Sequence, residues 1–156
     1  IGFVSGTSHV EVIVTAGGPR IVEIAAQSNA GCIPTEFISR AYGMDYLADS
    51  LRIALGEPLR ERPQYEQGCA LYWIPSRSGV VTRIEGVDEA RAMPGVEQVR
   101  VSIQPGDVLG HVVDCVTRDR IGCVLATAGT AAEAVRIAKA ARDTVHVVTR
   151  PTYENM

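Results

Sequence analysis

The chain has 156 residues, of which 46% are hydrophobic and 21% charged, with a formal net charge of −3. This is the make-up of a folded protein with one good core or two small ones, and it excludes a chain disordered throughout. A slightly acidic balance with 5% aromatic residues leaves no basic stripe for a phosphate backbone and little platform for stacking bases, which argues against nucleic acid as a partner.

No apolar run reaches the roughly 18 to 20 residues that cross a bilayer, and the N-terminus lacks the charged, apolar and small-residue order of a signal peptide. We expect a cytoplasmic protein with no membrane partner. Cys32, Cys69, Cys115 and Cys123 show neither CxxC nor Cys/His ligand spacing, so they read as reduced core thiols. The cations are fourteen arginines and a single lysine, Lys139. The chain starts at Ile1 and is in a strand within a dozen residues, which we read as a piece of a longer protein.

SHVEVIVT, Ser8 to Thr15, alternates strictly: Val10, Val12 and Val14 lie on one face, and His9, Glu11, Ile13 and Thr15 on the other. That is the pattern of a half-buried strand. RIVEIAAQ, Arg20 to Gln27, places Val22, Ile24 and Ala26 on one face and Ile21, Glu23, Ala25 and Gln27 on the other, with AGGP between the two runs as a turn signal. A two-residue Gly17-Gly18 loop would pair Glu11 with Ile24 and send the two glutamates to opposite faces, because a one-residue slip exchanges faces. A three- or five-residue loop pairs Glu11 with Glu23 and lets Val10, Val12 and Val14 share a face with Val22 and Ile24. The apolar pattern favours the odd-length loop, with His9 facing Ala25.

Two carboxylates directly opposite repel each other. Two readings stand at this point. Either a hard divalent cation such as Mg²⁺, with Mn²⁺ able to replace it, lies between them, or the face is open and both groups are hydrated.

SNAGCIP, Ser28 to Pro34, is a polar loop. Thr35 is expected to cap a short helix ending at Gly43, and Asp45 to cap a second, DYLADSLRIAL, stopped by Gly56, with Leu47, Leu51, Ala54 and Leu55 along one side. GEPLRERPQYEQG is charged, weakly periodic and linker-like. CALYWIPS and GVVTRIEG follow as strands around SRSG, then a short helix with Asp88 at its N-cap. GVEQVRVSIQPGD, HVVDCVT and RIGCVLATA are further strands, begun in the second case by His111, and His146 begins another. Both histidines read as structural. Thr130 and Glu133 have capping-box spacing, and Ala134, Ile137, Ala138, Ala141 and Val145 form the inward stripe of a long helix.

HVEV, a glycine turn, IVEIAAQSNAG and helices ending LRIALGEPL together resemble the last part of an ATP-grasp domain. In that family one strand gives a metal-binding Glu, and the next supplies Glu-x-Asn or Glu-x-Ala with an Arg two residues later. The segments VDEARAMPGVEQVRVSIQPGD and DRIGCVLATAGTAAEAVRIAKAA are similar to the C-terminal domain of biotin-carboxylase-like and L-amino-acid-ligase-like members, although ATAG stands where ATG is expected. The resemblance implies an α+β fold: residues 1–58 as the C-terminal part of an ATP-grasp domain, an antiparallel sheet with helices; 59–66 as a linker; and 67–156 as a small α+β C-terminal domain.

It also implies a reaction in which ATP phosphorylates a carboxylate and an amine attacks the acyl phosphate. The partners would be small-molecule carboxylate and amine substrates and the missing N-terminal part of the same protein, with a homodimer as the default assembly. Carried over by position, Glu11 and Glu23 are the ligands of Mg²⁺. Ala25 replaces the frequent Asn, and Gln27 replaces the usual Arg, so a hydrogen-bond donor stands where charge is expected. An arginine elsewhere (Arg40, Arg118, Arg120 or one upstream) could supply that charge, or the chemistry has shifted, or the site is inactive. His9 either orients substrate or supports the metal site, or is a strand histidine bonded beside Glu11. Asn29 and Gly31 in SNAG either bind an anion such as a nucleotide phosphate or only form a turn.

Two functions follow. The first is the C-terminal portion of an ATP-dependent carboxylate–amine ligase, inactive as a fragment because it has no glycine-rich phosphate loop and no lysine near the hairpin. The alternative is a degenerate ATP-grasp module, marked by Ala25 and Gln27, with a non-catalytic assembly or dimerisation role.

Overall fold

Alternating β-branched residues build the first two strands, β1 (His9–Thr15) and β2 (Gly18–Ala25), which pair antiparallel as a hairpin. The computed structural model describes residues 2, 4–28, 36–59, 63–64, 66–114, 117 and 121–152. The chain divides into two units, Ile1–Glu66 and Gln67–Met156.

In the first unit the hairpin is followed by α1 (Ile38–Tyr42) and α2 (Tyr46–Leu55). The Asp45 carboxylate accepts a hydrogen bond from Ala48 N at 3.1 Å, and Gly56, at φ 72°, closes the helix with its N–H on the Arg52 and Ile53 carbonyls. Those are the expected start and stop of α2. Thr35 lies outside the described residues, and Phe37, which precedes α1, offers no side-chain cap.

The half-buried strands expected of the hairpin are not found. Val12, Val14, Ile21 and Ile24 are all exposed, and so is the Leu47, Leu51 and Leu55 side of α2, with Leu55 at 72%. A two-stranded ribbon and two short helices cannot cover an apolar face between them.

The second unit contains β3 (Gly68–Trp73), β4 (Gly79–Glu85), α3 (Val87–Arg91), β5 (Val96–Val101), β6 (Val108–Leu109), β7 (Gly122–Ala128), α4 (Ala131–Thr144) and β8 (His146–Arg150). Two antiparallel three-stranded sheets result, ordered β3-β7-β5 and β6-β4-β8. β7 lies at the centre of the first sheet with Val124, Leu125 and Ala126 fully buried. α4 starts on Thr130, whose hydroxyl accepts from Glu133 N at 3.2 Å. Its Ala134, Ala138 and Ala141 are fully buried in the cores that also hold Ala70, Val99 and Val124. Alanines on that stripe let the helix lie close to the sheet.

β3 and β4, the two strands around SRSG, join different sheets: Ile74 N bonds to the Gly122 carbonyl and continues β3 along β7, while β4 joins the other sheet. Two expectations need correction. Asp88 does not cap α3. Gly86 takes that position at φ 76°, where a Cβ would overlap the Thr144 carbonyl, and Asp88 pairs with Arg91 at 3.1 Å. HVVDCVT is not a strand among its described residues; Asp114 instead closes a turn on Thr117, accepting from Thr117 N at 2.8 Å.

Cys69 is half-buried and Cys123 buried; Cys32 and Cys115 lie outside the described residues. Among the described residues no helix is long and apolar enough to cross a membrane.

Candidate functional site

The hairpin turn is Ala16-Gly17, with Thr15 paired to Gly18. Thr15 Oγ1 donates to the Gly18 carbonyl at 2.7 Å and accepts from Gly17 N at 3.2 Å, which folds the loop on its own first residue. The loop therefore has an even length, not the odd one expected. From it the register runs Val14 with Pro19, Ile13 with Arg20 and Val12 with Ile21; then Val22 has no partner, and Glu11 faces Glu23, Val10 faces Ile24 and His9 faces Ala25. A bulge at Val22 absorbs the residue by which the turn differs from expectation. The acidic pair and the His9–Ala25 pair are reached by a different route from the one the apolar pattern suggested.

Cross-strand partners share a face. One face thus carries His9, Glu11 and Ile13 of β1 with Ala25, Glu23 and Arg20 of β2; the other carries Val10, Val12 and Val14 with Ile24, Ile21 and Pro19. Glu11, Glu23 and Arg20 are exposed and His9 is half-buried. At the base of the hairpin the hydroxyls of Thr7 and Ser28 are 3.1 Å apart and tie the entering and leaving chains together.

Gln27 is exposed just beyond β2. Asn29, Gly31, Arg118 and Arg120 lie outside the described residues. Arg40 Nη1 donates to the Glu36 carbonyl at 3.4 Å, on the approach to its own helix. Sequence reading missed Arg20, because an uninterrupted register places it on the valine face.

Among the described residues no three His, Cys, Asp or Glu side chains converge. A cation on this hairpin face would therefore meet a pair of carboxylates, Glu11 and Glu23. Such a set does not suit zinc, which takes three or four protein donors. It fits Mg²⁺, which binds one or two carboxylates and fills its shell with water and phosphate oxygens.

Hollows among the described residues are lined by other side chains. One of about 460 Å³ at the hairpin base is lined by Ser5, Thr7, Ala26, Ser50 and Ile53. Another of about 490 Å³ in the second unit is lined by Ser102, Asp107, His111 and Thr117, among others. Its lining falls between Ser102 and Ile121, on β6 and the loops around it, where no local motif announces it.

The architecture is that of the C-terminal part of ATP-grasp ligases. Residues 71–150 match the family model described as L-amino acid ligase C-terminal domain 2, and the chain belongs to that family. An L-amino acid ligase from Bacillus licheniformis is similar over 93% of this chain and 36% of its own, at 20% identity and a TM-score of 0.74. A phosphoribosylglycinamide synthetase from Anaerococcus prevotii is similar over 92% of this chain and 37% of its own, at 14% identity and a TM-score of 0.75. An uncharacterized protein, y4rH, from Sinorhizobium fredii (strain NBRC 101917 / NGR234) is 28% identical over 93% of this chain and 30% of its own length. The chain thus spans about a third of the length of the relatives it matches.

Proposed function

We propose that this chain is the C-terminal portion of an ATP-dependent ligase that joins a small carboxylate to an amine. The opposition of Glu11 and Glu23 on an exposed hairpin face carries the reading. A carboxylate oxygen of one substrate attacks the terminal phosphorus of ATP and ADP leaves. The amine nitrogen then attacks the acyl carbon, a proton is lost, and inorganic phosphate departs.

Glu11 and Glu23 would hold Mg²⁺, or Mn²⁺ in its place, which when bound offsets charge on the phosphate oxygens. The two residues would hold that cation from adjacent strands, so the hairpin rather than one flexible side chain would set where it binds. His9 sits two residue pairs further from the turn on the same face, opposite the small Ala25, where it can orient substrate. Gln27 would offer a hydrogen-bond donor to substrate, and Asn29 and Gly31 of the following loop are assigned to the nucleotide phosphates. The exposed valines of the hairpin and leucines of α2 are the faces that an N-terminal part of the same protein would cover. ATP as co-substrate implies a cytoplasmic setting, and a homodimer is the default assembly.

A second reading, a non-catalytic assembly module, is favoured by the small Ala25 and uncharged Gln27 beside the acidic pair. One experiment separates the two: Mg²⁺-dependent ADP release by the full-length parent against pooled amino acids and small carboxylic acids, with Glu23→Ala and Gln27→Arg alongside. Turnover lost in Glu23→Ala supports the ligase. No turnover from any pool, with no nucleotide binding by calorimetry even in Gln27→Arg, overturns it in favour of the module.

A further inference from the structure

We propose that Arg20 binds a phosphoryl oxyanion held against the Glu11 and Glu23 carboxylates and supplies the charge that Gln27 cannot. This rests on the cation-holding role of the two glutamates given above. Extending the Glu11–Glu23 register without interruption would put Arg20 opposite Val14, among the valines. The Ala16-Gly17 turn and the bulge at Val22 put it opposite Ile13 instead, on the carboxylate face, since each one-residue step exchanges faces.

Arg20 stands two strand positions from the acidic pair, about 7 Å along the strand, within reach of a long side chain. In the structure its guanidinium lies back toward the turn, where a Cβ added at Gly17 would be 3.6 Å from Nη2. Among the described residues no carboxylate neutralises its charge. Arg52, Arg83 and Arg91 are each paired with a carboxylate, whereas Arg20 has no ion pair or side-chain hydrogen bond among the described residues.

The charges then add up to a phosphate site. Two carboxylates and one divalent cation sum to zero formal charge, so beyond direct coordination to the cation they add no net positive charge for a polyanion. An arginine on the same face makes the set positive, and its planar fork matches two oxygens of one phosphoryl group.

The test uses the full-length parent with Arg20→Gln, Arg20→Lys and Glu23→Ala. Binding of Mn²⁺ alone is read from the spin resonance of the free ion, and binding of inorganic triphosphate and of ATP in the presence of Mn²⁺ by calorimetry. We expect Arg20→Gln to leave Mn²⁺ affinity nearly unchanged and to weaken triphosphate and ATP about tenfold or more, the loss of a charged hydrogen bond. Arg20→Lys should recover part of the affinity for both. Triphosphate and ATP binding unchanged in Arg20→Gln, with Mn²⁺ binding lost in Glu23→Ala, would overturn the role of Arg20 and leave the metal site standing. Tighter Mn²⁺ binding in Arg20→Gln with unchanged triphosphate binding would make Arg20 a mere counter-ion and overturn the proposal. Unchanged Mn²⁺ binding in Glu23→Ala would overturn the metal site and this inference with it.

Discussion

Glu11 and Glu23 stand directly opposite each other across β1 and β2, which brings their Cβ atoms to about 5 Å. Side chains that share one bound ion act as a unit, so their removal is not additive. Glu11→Ala and Glu23→Ala should each lower Mg²⁺-dependent ADP release by the full-length parent about a hundredfold or more. The double variant should be little worse than either single one. Additive losses measured in the same assay would mean that the two carboxylates do separate jobs.

Apolar side chains left in water bind hydrophobic dyes. Val14 and Leu55 are 83% and 72% exposed, so this chain should give a strong anilinonaphthalene sulfonate signal. Val14→Thr with Leu51→Gln should reduce it while changing stability by no more than about 0.5 kcal/mol, as is usual for exposed positions. An unchanged dye signal, with urea unfolding as the stability check, would place the binding surface elsewhere.

Thr130 caps α4 through its bond from Glu133 N. Thr130→Ala should cost about 1 kcal/mol, and Thr130→Ser should cost far less, because it keeps the oxygen. The only tryptophan, Trp73, lies in β3 of the same unit, so a urea titration followed by its fluorescence reads the loss directly.

Leu125 is fully buried in the middle of β7, the central strand of its sheet. Neighbours on a packed sheet relax only partly into a void. Leu125→Ala should destabilise the second unit by about 2–5 kcal/mol, and Leu125→Met by less than about 1.5 kcal/mol. The midpoint of the Trp73 transition is the measurement, and equal midpoints for the two variants would contradict the packing described for β7.

Much of this was legible in the sequence where the determinant was local. α4 announced itself by Thr130, Glu133 and the alanine stripe, and α2 by Asp45 and Gly56, because caps and periodicity act within a few residues. The acidic pair was legible through the alternation of the valines. The turn that creates it was not: the bulging residue is Val22, an ordinary strand former, and no glycine marks the place. Arg20 was lost with it, since its face depends on that one unpaired residue. The separation of β3 from β4 was hidden for another reason. SRSG resembles a hairpin turn, but the partners of both strands lie far along the chain, so only tertiary pairing decides which sheet each joins.

Val22 sits between the turn and the acidic pair, and removing it would leave Glu11 facing Glu23 and Ile13 facing Arg20. The bulge therefore uncouples the length of the hairpin from the geometry at its open end. Sequences that differ by one residue between their two glutamates can present the same pair of oxygens, whereas others with identical spacing and a continuous ladder would carry the arginine on the back of the sheet. Relatives sharing this arrangement are better sought by which residues face one another than by how many lie between them.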